Sequence, residues 1–268
     1  MLTFRELISL KTDILENSRV KYVRHKDSRK EYKELIKDRE ELLKYQTEQK
    51  SDIFNGCSYI VSFFGQESTK SLFIGVFKVN GVKIKNDHYY YDLTEQEGFD
   101  DYKDRVVIDW GKATLSWHQW YNKTEKEVIE ILPKGYLGNF PGLLNFVLDF
   151  SELKKISKNP EANKEWVNHL KAVNGIYLIL DEKQGNQYIG SAYGKLGIWQ
   201  RWTEYVQNGH GGNKQLKELH LKDPSYYKNF KFSVLQTLPS NATSKEVITI
   251  ENLYKTKLGT KAFGLNSN

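Results

Sequence analysis

The amino-acid sequence predicts an α+β protein in three parts. Residues 1–54 are rich in Lys, Glu and Leu, and the first 50 contain no Pro or Gly, which favours helix. Residues 55–157 contain short aromatic and β-branched runs separated by turn residues, which indicates a β-rich, barrel-like domain with a trailing helix. Residues 158–268 alternate strand and helix patterns and predict a smaller mixed module.

The N-terminal segment carries an apolar stripe at near-helical spacing within EYKELIKDREELLKY. This spacing predicts one or two amphipathic helices. Such a segment serves either as a helical cap or dimerisation arm or as a DNA-binding arm, and the sequence leaves both open. The stripe consists of Tyr32, Leu35, Ile36, Leu42 and Leu43.

The middle segment has five or six strand-like runs, from CSYIVSFFG to LSWHQWY. Asn80-Gly81 lies between two of them and predicts a hairpin turn, because both residue types tolerate positive φ. Runs at this spacing are typical of a small antiparallel barrel or curled sheet. A helix is predicted within PGLLNFVLDFSELKKIS, and Ser157–Asn163 is the predicted linker to the C-terminal module.

The composition favours a nucleic-acid partner and excludes several kinds of site. The net charge is +6, and residues 175–268 alone carry 12 Lys and Arg against 7 Asp and Glu, which favours an anionic partner there. Cys57 is the only cysteine, so an intrachain disulfide and a cysteine-based zinc site are excluded. No apolar run reaches the ~20 residues of a membrane span and the N-terminus has no secretory pattern. We therefore expect a cytoplasmic protein with no membrane partner.

The C-terminal module begins with two strand patterns, GIYLIL and NQYIGSA, and a helix through GIWQRWTEYVQ. A second helix, the strand FKFSVLQTL and the helix SKEVITIENLYKTKL follow. Gly175-Ile176-Tyr177 and Tyr188-Ile189-Gly190 resemble the paired signature of the GIY-YIG nucleases, and the family's Arg, Glu and Asn follow in order. The resemblance covers Gly175 to Asn266 and implies a small antiparallel sheet flanked by helices. It also implies that this module cuts double-stranded DNA.

Glu251 lies within an apolar stripe of the final helix. At 100° per residue this stripe consists of Val247, Ile250, Tyr254 and Leu258. A carboxylate that points among apolar side chains is costly unless it meets a cation or hydrogen-bond donors. One interpretation is a core Glu paired with an Arg. The resemblance implies the other, in which Glu251 is the single metal-binding carboxylate.

Arg201 lies at the margin of the apolar face formed by Ile198, Trp202, Tyr205 and Val206, one turn from Tyr205. In isolation an Arg at such an edge is a surface residue. The resemblance implies instead that Arg201 contacts the scissile phosphate, because a planar guanidinium suits oxygens that gain charge in the transition state.

The resemblance further implies one-metal phosphodiester hydrolysis. Glu251 would hold Mg²⁺, with Mn²⁺ as a substitute, since these hard cations prefer oxygen ligands. Tyr177 would act as general base, which requires a lowered pKa or a proton relay because tyrosine ordinarily titrates near ~10. Tyr188 and Tyr205 would orient the water and the phosphate, and Asn266 would brace the site. One such site cuts one strand, so double-strand cleavage requires a homodimer or two encounters.

Contacts with the DNA backbone are expected near the helix that carries Arg201. Lys195 precedes that helix, and His210 lies in the glycine-rich turn NGHGGN, whose backbone N–H groups are available to a phosphate. Asn213 and Lys214 open the next helix. The alternative for Lys195 and His210 is an ordinary exposed position.

An aromatic cluster in the middle segment is a candidate base-recognition site. Small barrels that bind flipped or modified bases use aromatic walls and a few polar groups. The alternative is that the tryptophans are core residues. The cluster consists of Trp110, Trp117, His118, Trp120 and Tyr121.

Together these observations favour an endonuclease of the restriction or phage-defence type, with its target chosen by the β-rich domain. A DNA-repair or mobile-element nuclease is the enzymatic alternative. A non-catalytic DNA-binding protein on a nuclease fold is the alternative from another class. The presence of Tyr177, Tyr188, Arg201, Glu251 and Asn266 disfavours it, since a silent copy need keep none of them.

Overall fold

The computed structural model describes residues 1–26, 39–112 and 116–266. The chain divides into two compact units, Met1–Pro133 and Lys134–Asn268. This single boundary differs from the three predicted segments, 1–54, 55–157 and 158–268. The difference arises because a domain boundary follows the hydrophobic cores, and the cores group the strands and helices differently from the local sequence patterns.

The N-terminal unit contains a curled, mixed sheet. Its described elements are α1 (Phe4–Ser9), β1 (Val20–His25), α2 (Arg39–Thr47), β2 (Glu48–Gln49), β3 (Tyr59–Gly65), β4 (Lys70–Lys85), β5 (His88–Glu95), β6 (Val106–Asp109), β7 (His118–Trp120) and β8 (Val128–Ile131). The strand order is β2-β5-β4-β3-β1-β7, with β6 pairing both β4 and β8. Strands β1 and β3 are parallel, and the other pairs are antiparallel.

The first 54 residues are not wholly helical. Helix α1 begins after Thr3, which forms a capping box with Glu6. Phe4 packs on Phe63 and Phe73, with ring centroids 5.1 and 5.2 Å away. Strand β1 lies between β3 and β7 with all six residues buried, so it belongs to the sheet. Of the predicted stripe, Leu42 and Leu43 lie in α2 and pack in the core, whereas Tyr32, Leu35 and Ile36 lie outside the described residues.

The predicted hairpin at Asn80-Gly81 is wrong. Strand β4 continues through these residues with only a bulge between Val79 and Gly81. The turn lies at Asn86 and Asp87, whose φ angles of 49° and 57° are those of a two-residue hairpin, and Lys85 pairs with His88 across it. Asn and Asp tolerate this left-handed backbone better than other non-glycine residues.

The C-terminal unit is an antiparallel sheet flanked by helices, which confirms the predicted fold class. Its described elements are β9 (Leu148–Asp149), α3 (Phe150–Lys158), α4 (Lys164–Lys171), β10 (Asn174–Asp181), β11 (Gln187–Ala192), α5 (Gly197–Asn208), α6 (Lys214–Lys222), a 3₁₀ turn (Tyr226–Asn229), β12 (Phe230–Leu238), α7 (Ser244–Lys257) and α8 (Thr260–Phe263). The strand order is β11-β10-β12-β9.

Residues 148–158 belong to this second unit. Strand β9 extends its sheet by pairing with β12, and Phe150, Leu153 and Ile156 of α3 are buried in the same cluster as Trp202. The helix predicted within residues 141–157 begins only at Phe150, because Asp149 caps it and accepts a hydrogen bond from the Glu152 N–H. The predicted linker, Ser157–Asn163, therefore lies within this unit. It connects α3 to α4, and the buried residues of both helices belong to one core.

The described residues include no helix that is both long and apolar enough to cross a membrane. The single cysteine, Cys57, is free and buried in the N-terminal unit.

Candidate active site

Tyr177 and Gly190 lie directly opposite each other on the paired strands β10 and β11. The Tyr177 ring covers Gly190 so closely that a Cβ at position 190 would lie 2.3 Å from the ring carbon Cζ. Gly175 is equally confined, since a Cβ there would lie 2.6 Å from the Gln236 carbonyl oxygen of β12. The glycines of both tripeptides therefore permit close packing of the strands and the Tyr177 ring.

Helix α5 carries Arg201 and Tyr205 one turn apart. The predicted apolar face is confirmed, because Ile198, Trp202 and Tyr205 are fully buried. The Arg201 guanidinium lies 5.6 Å from the centroid of the Tyr205 ring. It donates to the Gly211 carbonyl oxygen at 2.9 Å and forms an ion pair with Glu204.

Helix α7 carries Glu251. The helix begins with the capping box of Thr243 and Glu246, and Val247 and Ile250 pack against β10 and β11. The carboxylate of Glu251 accepts from the Ser191 hydroxyl with Oε2, and its Oε1 lies 2.8 Å from the Lys255 ammonium. Leu258, the last member of the predicted stripe, lies beyond the helix and is exposed.

Asn266 continues the sheet with its side chain. Its Nδ2 donates to the Ile189 carbonyl oxygen at 2.8 Å, and its Oδ1 accepts from the Ile189 N–H at 2.9 Å. Strand β11 is the edge of the sheet, so this amide satisfies backbone groups that another strand would otherwise pair. Asn266 therefore fixes the strand that carries Tyr188 and Ser191.

A cleft of about 460 Å³ brings the charged residues together. Arg201 enters it from α5 and Glu251 from α7, while Tyr188 and Ser191 enter it from β11. Sequence analysis did not single out Tyr193, Gln200 or Ser191, which also line the cleft. Ser191 directly follows Tyr188-Ile189-Gly190, and this position in the sequence could have identified it as a cleft residue.

Tyr177 and Tyr205 lie behind the cleft wall. Both side chains are fully buried, and their hydroxyl oxygens are 3.0 Å apart in a hydrogen bond. Burial raises the pKa of Tyr177, and the positive charge of Arg201 opposes this shift. Burial also raises the pKa of Tyr205 well above its ordinary value. These residues therefore do not lower the pKa of Tyr177, because the apolar surroundings disfavour the phenolate, and of the two routes to a general base only the proton relay is left.

The predicted DNA-contact residues have different surroundings. Lys195 and Lys214 are exposed. Asn213 caps α6 by accepting from the Leu216 N–H at 2.8 Å and donates to the Leu265 carbonyl oxygen at 3.3 Å.

His210 Nδ1 accepts from the Gly212 N–H at 3.0 Å. Burial lowers the pKa of His210, with further lowering by His220 and Lys217. These effects favour the neutral imidazole, which would contact a phosphate through a hydrogen bond rather than through charge.

The aromatic cluster of the N-terminal unit separates into fully buried residues and half-buried ones, of which Trp117 and Trp120 pack against the core. Trp110 and Tyr121 are buried, and the indole Nε1 of Trp110 donates to the Ser116 carbonyl oxygen at 3.0 Å. These two residues therefore belong to the hydrophobic core, which was the alternative to base recognition. Trp117, His118 and Trp120 are half-buried.

Two cations lie close to Trp120. The Arg19 guanidinium lies 5.3 Å from the centroid of its ring, and the Lys21 ammonium lies 4.7 Å from it. Lys21 is buried and its ammonium donates to the Ile53 carbonyl oxygen, whereas Arg19 is exposed.

The C-terminal unit matches known proteins. Residues 173–266 match the family model described as the GIY-YIG catalytic domain. A mutant form of the catalytic domain of the intron endonuclease I-TevI is 24% identical over 36% of this chain and 94% of that chain, with a TM-score of 0.29. The catalytic domain of the homing endonuclease I-TevI is 26% identical over 35% of this chain and 96% of that chain, with a TM-score of 0.28. No curated protein matches the chain.

Proposed function

We propose, from the premise that residues 173–266 are a GIY-YIG catalytic domain, that this protein is an endonuclease hydrolysing phosphodiester bonds in double-stranded DNA. The observation that carries the proposal is the cleft that contains Arg201 and Glu251 together. A phosphodiester needs a cation for its non-bridging oxygens, and a carboxylate in the same cleft is suited to a divalent metal ion.

Glu251 is the residue that fits a divalent ion. Its side chain is 13% exposed and lines the cleft, where a small hydrated cation would reach it by displacing its present partners, Ser191 and Lys255. No three His, Cys, Asp or Glu side chains of the described part of the chain gather into a metal site. A single carboxylate suits Mg²⁺ or Mn²⁺, which keep several waters. When bound, such an ion polarises the phosphate and stabilises the leaving oxygen.

Arg201 binds and orients the phosphate. Its planar guanidinium matches two phosphate oxygens, and its bond to the Gly211 carbonyl oxygen fixes its direction. Tyr188 lines the same cleft and is placed to orient the attacking water. Because burial raises the pKa of Tyr177, its role as general base depends in this proposal on a proton relay, and its hydrogen bond to the Tyr205 hydroxyl is the contact that supports one.

Target choice belongs, in this proposal, to the N-terminal unit. The half-buried side chains of Trp117, His118 and Trp120, with the exposed Arg19 guanidinium 5.3 Å from the Trp120 ring centroid, support binding to an unstacked or modified base. As the biological setting we favour a restriction or phage-defence role in the cytoplasm. Repair or mobile-element cleavage is the alternative, and a homodimer would supply the second cut.

The test is a digestion of plain, methylated and hydroxymethylated phage DNAs, followed by mapping of the ends. We expect cleavage with Mg²⁺ or Mn²⁺ and none with EDTA. Glu251→Ala should still bind DNA but not cut it. If the wild type and Glu251→Ala leave every DNA intact, the protein is a non-catalytic DNA-binding protein.

Two substitutions test the proposed base recognition. Trp117→Ala and Trp120→Ala should lose selectivity among the DNAs while retaining nonspecific cleavage in Mn²⁺. Phe54→Ala is the matched control for loss of a core aromatic residue, because Phe54 is 1% exposed. Unfolding of the two tryptophan variants, as expected for Phe54→Ala, would assign Trp117 and Trp120 to the core instead.

A further inference from the structure

Lys255 is a buried lysine in contact with the candidate metal ligand. It lies one turn after Glu251 on α7, and its Nζ is 2.8 Å from Glu251 Oε1. The residue is only 7% exposed. Lysine is almost never buried unless it is paired, so the Glu251 carboxylate is the partner that this position provides.

Both oxygens of Glu251 are therefore engaged by the chain itself. Oε1 meets the Lys255 ammonium and Oε2 accepts from the Ser191 hydroxyl. The order Glu then Lys at i, i+4 is the favourable one on a helix. The pair stabilises a carboxylate that would otherwise lie without a cation on a largely apolar helix face.

A divalent ion held by Glu251 would compete with this ammonium for the carboxylate. An ammonium has only donors and cannot ligate a metal ion, and two cations sharing one carboxylate repel each other. The lysine stem is flexible, so its ammonium can move away when the ion arrives. Breaking the pair then offsets part of the binding free energy of the ion.

We propose that Lys255 is a built-in counter-ion of Glu251, which a divalent ion must displace and which thereby weakens metal binding in the absence of DNA. The inference rests on the proposed function, because that function makes Glu251 the metal ligand. Lys255 is a positioning residue that acts through Glu251, and it keeps the carboxylate in place when no metal ion is bound.

The experiment is a calorimetric Mn²⁺ titration of the full chain without DNA. Lys255→Gln retains a hydrogen-bond donor for Oε1 but loses the charge, and we expect it to bind Mn²⁺ about tenfold more tightly than the wild type. Lys257→Gln is the matched control, because Lys257 is exposed on the same helix and lies 5.9 Å from the Tyr254 ring centroid. Its Mn²⁺ affinity should stay within about twofold of the wild type.

Equal or weaker binding by Lys255→Gln, or no detectable binding, overturns the inference. If Lys255→Gln does not fold, as judged by its melting curve, Lys255→Met is titrated instead with the same expectation. Lys255→Arg, which keeps the charge, should bind Mn²⁺ like the wild type, and a tenfold gain in this variant would also overturn the inference.

Glu251→Gln separates this inference from the proposed function. We expect it to abolish Mn²⁺ binding at the site. If Glu251→Gln binds Mn²⁺ as the wild type does, the metal assignment in the proposed function fails together with the inference. If Glu251→Gln loses binding while Lys255→Gln behaves as the wild type, only the role of Lys255 is wrong.

Discussion

At the scale of single residues, Tyr177 and Gly190 form a matched pair across β10 and β11. Gly190→Ala places a methyl group 2.3 Å from a ring carbon that is fully buried and cannot move aside. Overpacking of this kind costs about 2 kcal/mol in the free energy of unfolding. We expect that loss in urea-induced unfolding of the variant.

The control for this prediction is Gly81→Ala. Gly81 also lies in a strand, and a Cβ at this position would have no neighbouring atom within 4 Å. Its φ angle is not in the left-handed region, so alanine adopts this backbone without strain. Its substitution should change the free energy of unfolding by less than about 0.5 kcal/mol. Equal effects of the two substitutions would show that the Tyr177 ring is not fixed over Gly190.

His25 predicts a pH dependence of stability. Its Nε2 lies 2.8 Å from Gln46 Oε1, and burial lowers the pKa of His25 to about 4. In the unfolded chain it titrates near ~6.5. Below that pH the unfolded state binds a proton that the folded state does not, so stability falls as the pH decreases from about 6.5 towards 4, by up to about 3 kcal/mol.

Urea unfolding at pH 7 and pH 5 measures this effect. The free energy of unfolding of the wild type should decrease from pH 7 to pH 5. That of His25→Gln should decrease less, because a glutamine does not titrate. The same loss in both proteins would mean that His25 is not the group responsible.

At the scale of elements, α5 and α7 each carry one charged cleft residue and its counter-ion one turn away. Arg201 pairs with Glu204 on α5, and their side chains are 31% and 34% exposed. Glu204→Gln releases the guanidinium and removes a negative charge near the phosphate position. We expect DNA binding in EDTA to tighten about threefold to tenfold, with little change in stability because exposed pairs contribute little.

Fluorescence anisotropy with a labelled duplex measures this affinity. Glu218→Gln is the matched control, since it makes the same charge change on the neighbouring helix α6. Weaker binding by Glu204→Gln than by Glu218→Gln would contradict the account, because Glu204 would then help to position Arg201.

The two helices also show what sequence predicts well. Helical periodicity placed Glu251 within one apolar face and Arg201 at the edge of another, and Val247, Ile198 and Trp202 of these faces are indeed buried. Long periodic segments are decided by which face meets the core, so their pattern is informative. Lys255 was visible at i+4 from Glu251, but its burial depends on tertiary packing.

Short-range signals were less reliable. The Asn80-Gly81 dipeptide favours a turn, but pairing of β4 with β5 continues through it, and the turn forms at Asn86-Asp87. The start of α3 was marked by Asp149 and Glu152 at capping-box spacing. The apolar run before Asp149 obscured that signal, because such runs fit a helix and a strand equally.

At the scale of the whole molecule, local sequence patterns could not predict the boundary between the two units after Pro133. It depends on β9 and α3 joining the core that contains Trp202, which is a contact distant in sequence. We predict that residues 134–268 expressed alone unfold cooperatively, whereas residues 158–268 do not. The shorter piece lacks Leu148, Phe150, Leu153 and Ile156, which are buried in that core.

Circular dichroism with urea unfolding compares the two pieces directly. A sharp, equally stable transition of residues 158–268 would contradict the boundary and favour the segment predicted from sequence.

In the proposed function the cleft lined by residues of α5 and α7 cuts DNA, and Glu251 is indispensable to it. The most direct measurement is the single-turnover rate of plasmid strand cleavage in Mn²⁺ by the full chain, for the wild type and Glu251→Gln, at DNA concentrations that saturate both proteins. We expect Glu251→Gln to lose at least about a hundredfold in rate and to retain DNA binding. Equal rates in the two proteins would contradict it.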